Sequence, residues 1–205
     1  MFRTRCLAAA ACAVLIAGCS DTKPAAKPKE PEKPAEPVTG QTAFWKMYMS
    51  ARGWSPDVQP ITLRNMPVEG IKAEAGKAGA WEAIFVSQAK GQSRTYTYSV
   101  VEMGQTLHKD VFPQVAEAWS GPSGQQRPWP IAAFKVDSDK AYETALEQSK
   151  EYVAKNKDKP VNFLLELTPR NPDLTWRVFW GETISTSNYS IIVDASTGKY
   201  LEKLR

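Results

Sequence analysis

Alternation of large apolar side chains with other residues near the C-terminus constrains the fold of this chain more than any other feature. It runs through residues 176–180 and again through residues 189–193. Period-two alternation of aromatic and β-branched residues is typical of β-strands. Turn-forming residues follow from Asp194 to Gly198, where glycine can adopt a positive φ without steric cost. The stretch therefore predicts two strands and a tight turn leading into a short third strand at residues 200–201.

A helix is predicted from Asp139 to about Asn156, because apolar side chains recur there at helical spacing. Its apolar face consists of Ala141, Tyr142, Ala145, Leu146, Ser149, Tyr152 and Val153. Asp137, Ser138 and Asp139 stand at its start, and these residue types accept hydrogen bonds from the unpaired amides of a helix N-terminus. We therefore expect Asp137 and Asp139 to cap the helix rather than to perform acid–base chemistry.

The first half of the chain repeats this pattern. The matching helical face, at an offset of 98 residues, is Ala43, Phe44, Met47, Tyr48 and Ala51. Three strand-like segments follow each helix, at 61–65, 81–87 and 95–101 and then at 161–168, 176–181 and 189–194. The sequence thus predicts an α+β fold of two tandem units, each a helix followed by an antiparallel sheet. In this arrangement Tyr48 and Leu146 are equivalent core residues, and residues 131–136 form a strand before the second helix.

The N-terminal segment predicts export and lipid anchoring. Residues 1–18 join a basic start to an apolar run that is too short to span a bilayer, as in a signal peptide. Residues 15–19, Leu-Ile-Ala-Gly-Cys, resemble the lipobox of bacterial lipoproteins, which implies lipidation at Cys19 and cleavage before it. Ordinary secretion with cleavage elsewhere is the alternative. The family's inner-membrane retention signal is Asp after the cysteine, so Ser20 implies the outer membrane, facing the periplasm, in a diderm cell.

Residues 19–40 are predicted to be the lipidated cysteine and a disordered tether. Pro28, Pro31, Pro34 and Pro37 recur every third residue, which matches the three-residue turn of polyproline II. Few apolar side chains accompany them, so the segment cannot fold alone. A proline-rich ligand for a recognition domain is the alternative to a spacer.

Several kinds of chemistry lack support in the sequence. Without Arg3 and Arg5 the chain carries 24 basic and 22 acidic side chains, which gives no argument for nucleic-acid binding. All three cysteines lie in the first twenty residues, and His108 is the single histidine, so neither a metal site nor a catalytic triad is expected. We expect His108 to be a surface residue, and the protein to be no enzyme and to use no cofactor.

One family resemblance is carried by residues 134–141, the Trp-Arg-Val of 176–178 and the hairpin 189–201. These are similar to the PepSY domain of secreted and envelope proteins. The resemblance covers about residues 131–204, and residues 41–112 would be a diverged copy. It implies a C-terminal domain at 121–205 and an N-terminal one at 41–120, each with a helix packed on an antiparallel sheet. It also implies a non-catalytic role as an inhibitor or chaperone of a peptidase.

Three functions remain open from the sequence. The first is a binding module that presents its surface to an envelope protein or peptidase; exposed rings at Trp54, Trp119 and Trp129 would suit such an interface, whereas loops folded back over the sheet would bury them. The second is a carrier of a small apolar ligand, with Tyr96 and Tyr98 lining a cavity. The third is a hydrolase with paired carboxylates. A filled core favours the first, an empty apolar cavity the second and converging carboxylates the third.

Overall fold

A computed structural model describes residues 35–105, 107–122, 124 and 126–204. The predicted signal peptide, Cys19 and most of the predicted tether lie outside the described residues. The described part belongs to one compact unit.

In the first half of this unit a helix precedes a set of antiparallel strands. The elements are β1 Val38–Thr39, α1 Gly40–Trp54, β2 Gln59–Met66, β3 Lys77–Ala78, β4 Ala80–Ser87, β5 Gln92–Ser99, β6 Asp110–Pro113 and β7 Glu117–Ala118. The two-residue strands β1 and β3 pair with each other, and β7 pairs with β5.

The second half repeats the order of helix and strands. Its elements are a 3₁₀ helix Ile131–Ala133, α2 Ser138–Glu147, α3 Lys150–Lys155, β8 Val161–Thr168, β9 Asn171–Trp180, β10 Ser190–Asp194 and β11 Tyr200–Leu204. The predicted α+β class is therefore confirmed.

The long strands of both halves form one antiparallel sheet. Its order is β11-β10-β9-β8-β2-β4-β5-β6, so each half contributes its strands in the same sequence outward from the centre. The halves join where β2 pairs with β8, and Arg64 lies opposite Leu164 there. In the pairing of β4 with β5, Trp81 lies opposite Tyr98, and in the pairing of β9 with β10, Trp176 lies opposite Val193.

The core lies between the helices and one face of the sheet. Trp81 and Trp176 meet there edge to face, with ring centroids 6.3 Å apart. The indole of Trp81 donates a hydrogen bond to the Val38 carbonyl at 3.0 Å, and that of Trp176 donates to the Val136 carbonyl at 2.8 Å. Val38 and Val136 each lie just before the cap of a helix, so the same bond ties each helix start to its own strands.

The two helix N-termini also contact each other. Thr39 caps α1 by accepting from the Thr42 amide, and Asp137 caps α2, as predicted, by accepting from the Ser138 amide. The amide of Gly40 donates to the Ser138 hydroxyl at 2.7 Å, and that hydroxyl donates to the Gly76 carbonyl at 2.6 Å. These bonds satisfy amides that a helix start leaves without partners inside the helix.

The prediction that the tether extends to residue 40 is wrong at its C-terminal end. Val38 and Thr39 pair in β1, and Gly40 is buried at the start of α1. A Cβ at Gly40 would lie 2.9 Å from a ring carbon of Trp176 and 3.1 Å from one of Trp81. Glycine is required here because the backbone passes directly over the two indoles.

The predicted helix over 139–156 is interrupted. α2 ends at Glu147 and α3 begins at Lys150, because the Ser149 amide turns back to the Leu146 carbonyl and leaves the helical pattern. The second segment is anchored by Tyr152, whose ring stacks on Tyr189 with centroids 3.8 Å apart.

Two further predictions are wrong in detail. Residues 131–136 form no strand: a 3₁₀ helix occupies Ile131–Ala133, where the Ala133 amide donates to the carbonyl of Pro130, a residue with no N–H donor for a strand ladder. Tyr48 and Leu146 are only partly buried, so neither is a full core residue. The fully buried positions are one residue earlier, at Met47 and Ala145.

Candidate functional site on the open face of the sheet

The face of the sheet that points away from the helices carries a row of side chains across nearly all of its strands. We call this the open face, and the row the central row. Strand pairing gives its members in order as Phe112, Thr97, Glu82, Arg64, Leu164, Arg177, Ile192 and Glu202. Their neighbours along each strand, including Trp81, Leu63, Leu165 and Trp176, are in the core under the helices. Since side chains alternate along a strand, the central row points to the other side.

The first half neutralises its charges within the central row. The guanidinium of Arg64 lies 2.7 Å from the carboxylate of Glu82 on the adjacent strand. The Arg64 side chain is 58% exposed and that of Glu82 is 12% exposed. This ion pair occupies the charged groups of both residues and leaves no free guanidinium.

The second half places Arg177 in the central row without such a partner. Its Nε donates to the Ser190 hydroxyl at 3.1 Å. Among the described residues, no carboxylate oxygen lies within 4.0 Å of its guanidinium. Burial lowers the pKa of Arg177, the charge of Glu166 raises it and that of Arg170 lowers it again, leaving it below its usual range. The group stays protonated, because arginine is not deprotonated in proteins.

Arg177 lines a depression of about 420 Å³ on the open face. Two other charged groups of this depression already have partners. Arg170 forms two hydrogen bonds with Glu202, at 3.0 and 2.7 Å, and Glu166 accepts one from the Gln126 amide group at 3.0 Å. The apolar part of the lining consists of Leu164, Ile184, Ile192 and Leu204. The depression thus combines a guanidinium without a carboxylate partner and an apolar wall.

Sequence reasoning missed Arg177 as a site residue. Its alternation with Trp176 and Val178 was a usable signal, because a basic residue between two core positions must lie on the opposite face of the sheet. The neutralisation of Arg64 could not be predicted in the same way, since it depends on the register between β2 and β4.

The three tryptophans predicted as interface candidates differ in their surroundings. Trp129 is fully buried, which removes it as an exposed interface ring and agrees with the alternative of a folded-back loop: its indole donates to the Ile61 carbonyl at 2.9 Å and its ring stacks on Phe44. Trp54 is partly buried against the core, with the Arg94 guanidinium 6.0 Å from its ring centroid. Trp119 is partly exposed, and its amide donates to the Gly91 carbonyl. No ring contact among the described residues joins two of these three.

The polar residues considered for catalysis have structural partners. The His108 imidazole is 2.8 Å from one carboxylate oxygen of Glu102. The other oxygen of Glu102 accepts a hydrogen bond from the Lys109 amide. Asp137 caps α2, and Asp139 accepts from the Lys140 amide at 2.7 Å. Within the described part of the chain, no group of three or more His, Cys, Asp or Glu side chains could hold a metal ion.

The core does not resemble a ligand cavity. Tyr96 and Tyr98, predicted as possible cavity residues, are buried among other aromatics: the Tyr96 ring packs against Phe85, and the Tyr98 hydroxyl accepts from the Lys46 ammonium. The depression on the open face is therefore a better ligand site than the space between sheet and helices.

Comparisons with known proteins define the fold and no more. No protein-family model matches the chain, and no curated protein matches it. Its structure is similar to the crystal structure of a candidate lipoprotein from Clostridium difficile 630, with a TM-score of 0.50 and 12% sequence identity. The match covers 78% of this chain and 91% of the other. None of the helices among the described residues has the length and apolar character needed to cross a membrane.

Proposed function

We propose that this protein is a non-catalytic binding protein of the cell envelope that is anchored by a lipid at Cys19. The lipobox-like residues 15–19 support the anchor, and the structurally similar protein from Clostridium difficile is itself described as a candidate lipoprotein. Outer-membrane attachment, facing the periplasm, is the location that Ser20 favours in a diderm cell. Replacing Cys19 with Ser is expected to release the protein from membranes; unchanged membrane association would contradict the anchor.

The two halves are proposed to be tandem PepSY-like units. Support comes from the hairpin at 193–201, from the equal order of helix and strands and from the matched bonds of Trp81 and Trp176. In both halves a carboxylate accepts hydrogen bonds from the backbone of the turn that follows it. Asp194 accepts from the amides of Ser196 and Thr197, and at the equivalent place in the first half Glu102 accepts from the Lys109 amide. This assignment carries the proposal that the partner is a peptidase or another envelope protein whose action the binding modulates.

The observation that carries a binding role is the free guanidinium of Arg177 beside apolar side chains on the open face. A partly buried guanidinium with no carboxylate within ion-pair distance lowers the stability of the free protein, and a bound anionic group would offset this loss. The apolar wall also favours the second candidate function, a carrier of a small ligand.

Site-specific photo-crosslinking in intact cells tests both candidates. A crosslinking residue at Thr168, in the lining of the depression, is compared with one at Glu143 on the exposed side of α2. We expect adducts from position 168 that Arg177→Gln removes, and mass spectrometry distinguishes a protein partner from a small molecule. Adducts that form only at position 143, or that survive Arg177→Gln, would place the binding surface elsewhere.

A further inference from the structure

We propose that the depression around Arg177 binds a monocarboxylate carried on an aliphatic chain. This inference rests on the proposed binding function and names the ligand chemistry of the same site. Two sources share that chemistry, a peptide C-terminus with aliphatic side chains and a fatty acid, and the experiment below separates them.

The first step concerns the free donors of Arg177. A guanidinium has five N–H donors, and the one hydrogen bond of Arg177 to a described residue uses Nε. Arg177 lines the depression, and among the described residues no hydrogen bond of its terminal nitrogens is found. Two terminal N–H groups in a planar fork match the two oxygens of a carboxylate.

The second step concerns the net charge. The depression is lined by the cations Arg170 and Arg177 and by the anion Glu166, and Glu202 holds Arg170 in a two-bond ion pair. Two positive and two negative charges balance, so the site offers one guanidinium and no general excess of positive charge. The absence of excess positive charge disfavours polyanions such as nucleic acids or polyphosphates, and a single carboxylate can bind only through the guanidinium of Arg177, which has no ion pair among the described residues.

The third step concerns the apolar wall. Leu164 and Ile192 flank Arg177 directly in the central row, on the adjacent strands β8 and β10. Ile184 and Leu204 extend the wall at the rim. The volume of about 420 Å³ falls within the usual range for small-ligand sites. Leu164 and Ile192 are only 5% and 3% exposed, whereas Ile184 and Leu204 are partly exposed. A ligand whose carboxylate meets Arg177 therefore places its chain mainly against Ile184 and Leu204.

The test is calorimetric titration of the full chain carrying Cys19→Ser, so that no attached lipid competes. The probes are octanoate and N-acetyl-leucyl-leucine, each paired with its uncharged amide. We expect at least one carboxylate to bind about 10- to 100-fold more tightly than its amide, as a charge-assisted hydrogen bond predicts. Binding of octanoate alone identifies a fatty-acid site, and binding of the dipeptide alone identifies a peptide C-terminus.

Matched variants assign the effect to Arg177. Arg177→Gln is expected to remove the preference for the carboxylate, and Arg177→Lys to restore part of it. Arg64→Gln, on the same row but already paired with Glu82, is expected to change nothing. Two-dimensional amide NMR of the unsubstituted site supplies a readout that needs no Arg177 variant: carboxylate-specific shifts are expected in β8, β9 and β10.

The proposal is overturned if neither carboxylate binds, if the amides bind equally well or if the shifts map to the first half. It is also overturned if Arg64→Gln weakens binding as much as Arg177→Gln does. If neither carboxylate binds but Arg177-dependent crosslinks form in cells, the carboxylate ligand is rejected and the binding function is kept. If carboxylate binding and Arg177-dependent crosslinks are both absent, the ligand and the binding function are rejected together.

Discussion

The two halves of the molecule share the same arrangement of helix and strands but differ in the charged side chains on the open face of the sheet. In each, a helix lies on the sheet, and an indole on the second long strand bonds to the carbonyl just before the helix cap. On the open face the first half closes its charges in the Arg64–Glu82 pair, whereas the second half leaves Arg177 without a carboxylate partner. The charged side chains on one face of a sheet can therefore differ between two halves that keep the same tryptophan–helix hydrogen bond on the other face.

The helices of the two halves also differ, in their continuity and in the size of the side chains they bury. α1 is continuous and buries the large side chains Phe44 and Met47, whereas α2 buries Ala141 and Ala145 and gives way to α3. The second half recovers part of its packing through Tyr152, which stacks on Tyr189. α1 thus buries larger side chains than α2, and the second half carries the candidate site.

The sharpest test of the shared frame is truncation of its two tryptophans. Trp81→Ala and Trp176→Ala are each expected to lower the free energy of unfolding by about 3–5 kcal/mol, because each leaves a cavity and frees a buried carbonyl. Urea unfolding measures both. Trp119→Ala, at a partly exposed position, is the control and is expected to cost much less. A cost near that of the control for either buried tryptophan would break the equivalence of the halves.

The next largest effect is expected from breaking the hydrogen bonds between the two helix N-termini. Ser138→Ala removes the hydroxyl that accepts from the Gly40 amide and donates to the Gly76 carbonyl. Leaving these buried groups unpaired is expected to cost about 1–3 kcal/mol in urea unfolding. Asp139→Ala alters the neighbouring residue, which is only partly buried, and is the matched control. Equal effects of the two substitutions would show that the halves are not coupled through this hydroxyl.

The strands were predictable from the sequence because their alternation is local. The segment 161–168 was predicted with the bounds that β8 has, whereas β9 begins at Asn171, five residues before the predicted start. Pro172 and Asp173 concealed this beginning, since both residue types are rare inside strands. The hairpin nevertheless holds them, through the pairing of Thr168 with Asn171.

The site was less predictable because it depends on contacts across the sheet. The ion pair of Arg64 requires the register of β2 against β4, and the lining of the depression requires β8 to lie beside β9 and β10. The sequence left the exposure of Trp129 open for a similar reason. Its amide donates to the Pro60 carbonyl and holds the loop against the core. Local composition does not reveal such long-range bonds.

Acid sensitivity is expected to differ between the halves. Hydrogen bonds from the Ala89 amide and from the Ser55 and Ser87 hydroxyls hold the pKa of Asp57 far below its usual range. Burial raises the pKa of Asp194, but hydrogen bonds from Ser196 and Thr197 outweigh it and leave that pKa below its usual range by less.

A depressed carboxyl pKa stabilises the folded state above the unfolded value of about 4, and this stabilisation is lost as the pH falls through the folded value. Asp57→Asn is therefore expected to flatten the fall of the melting temperature below pH 4 more than Asp194→Asn does. Thermal unfolding between pH 2 and pH 7 measures this for both variants. A larger effect of Asp194→Asn would show that hydrogen bonds stabilise the Asp194 carboxylate more strongly than the Asp57 carboxylate, which contradicts the prediction.

The smallest expected effect concerns the break between α2 and α3. The Ser149 hydroxyl is buried and has no hydrogen-bond partner among the described residues, and Ala51 occupies the matching position on the face of α1. Because a buried hydroxyl without a partner is destabilising, Ser149→Ala is expected to raise the free energy of unfolding by about 1 kcal/mol. The reciprocal change, Ala51→Ser, places a hydroxyl in the better packed helix and is expected to destabilise. If Ser149→Ala instead destabilises, the hydroxyl is hydrogen-bonded to water in solution, and the break in the second helix is a hydrated feature of that half.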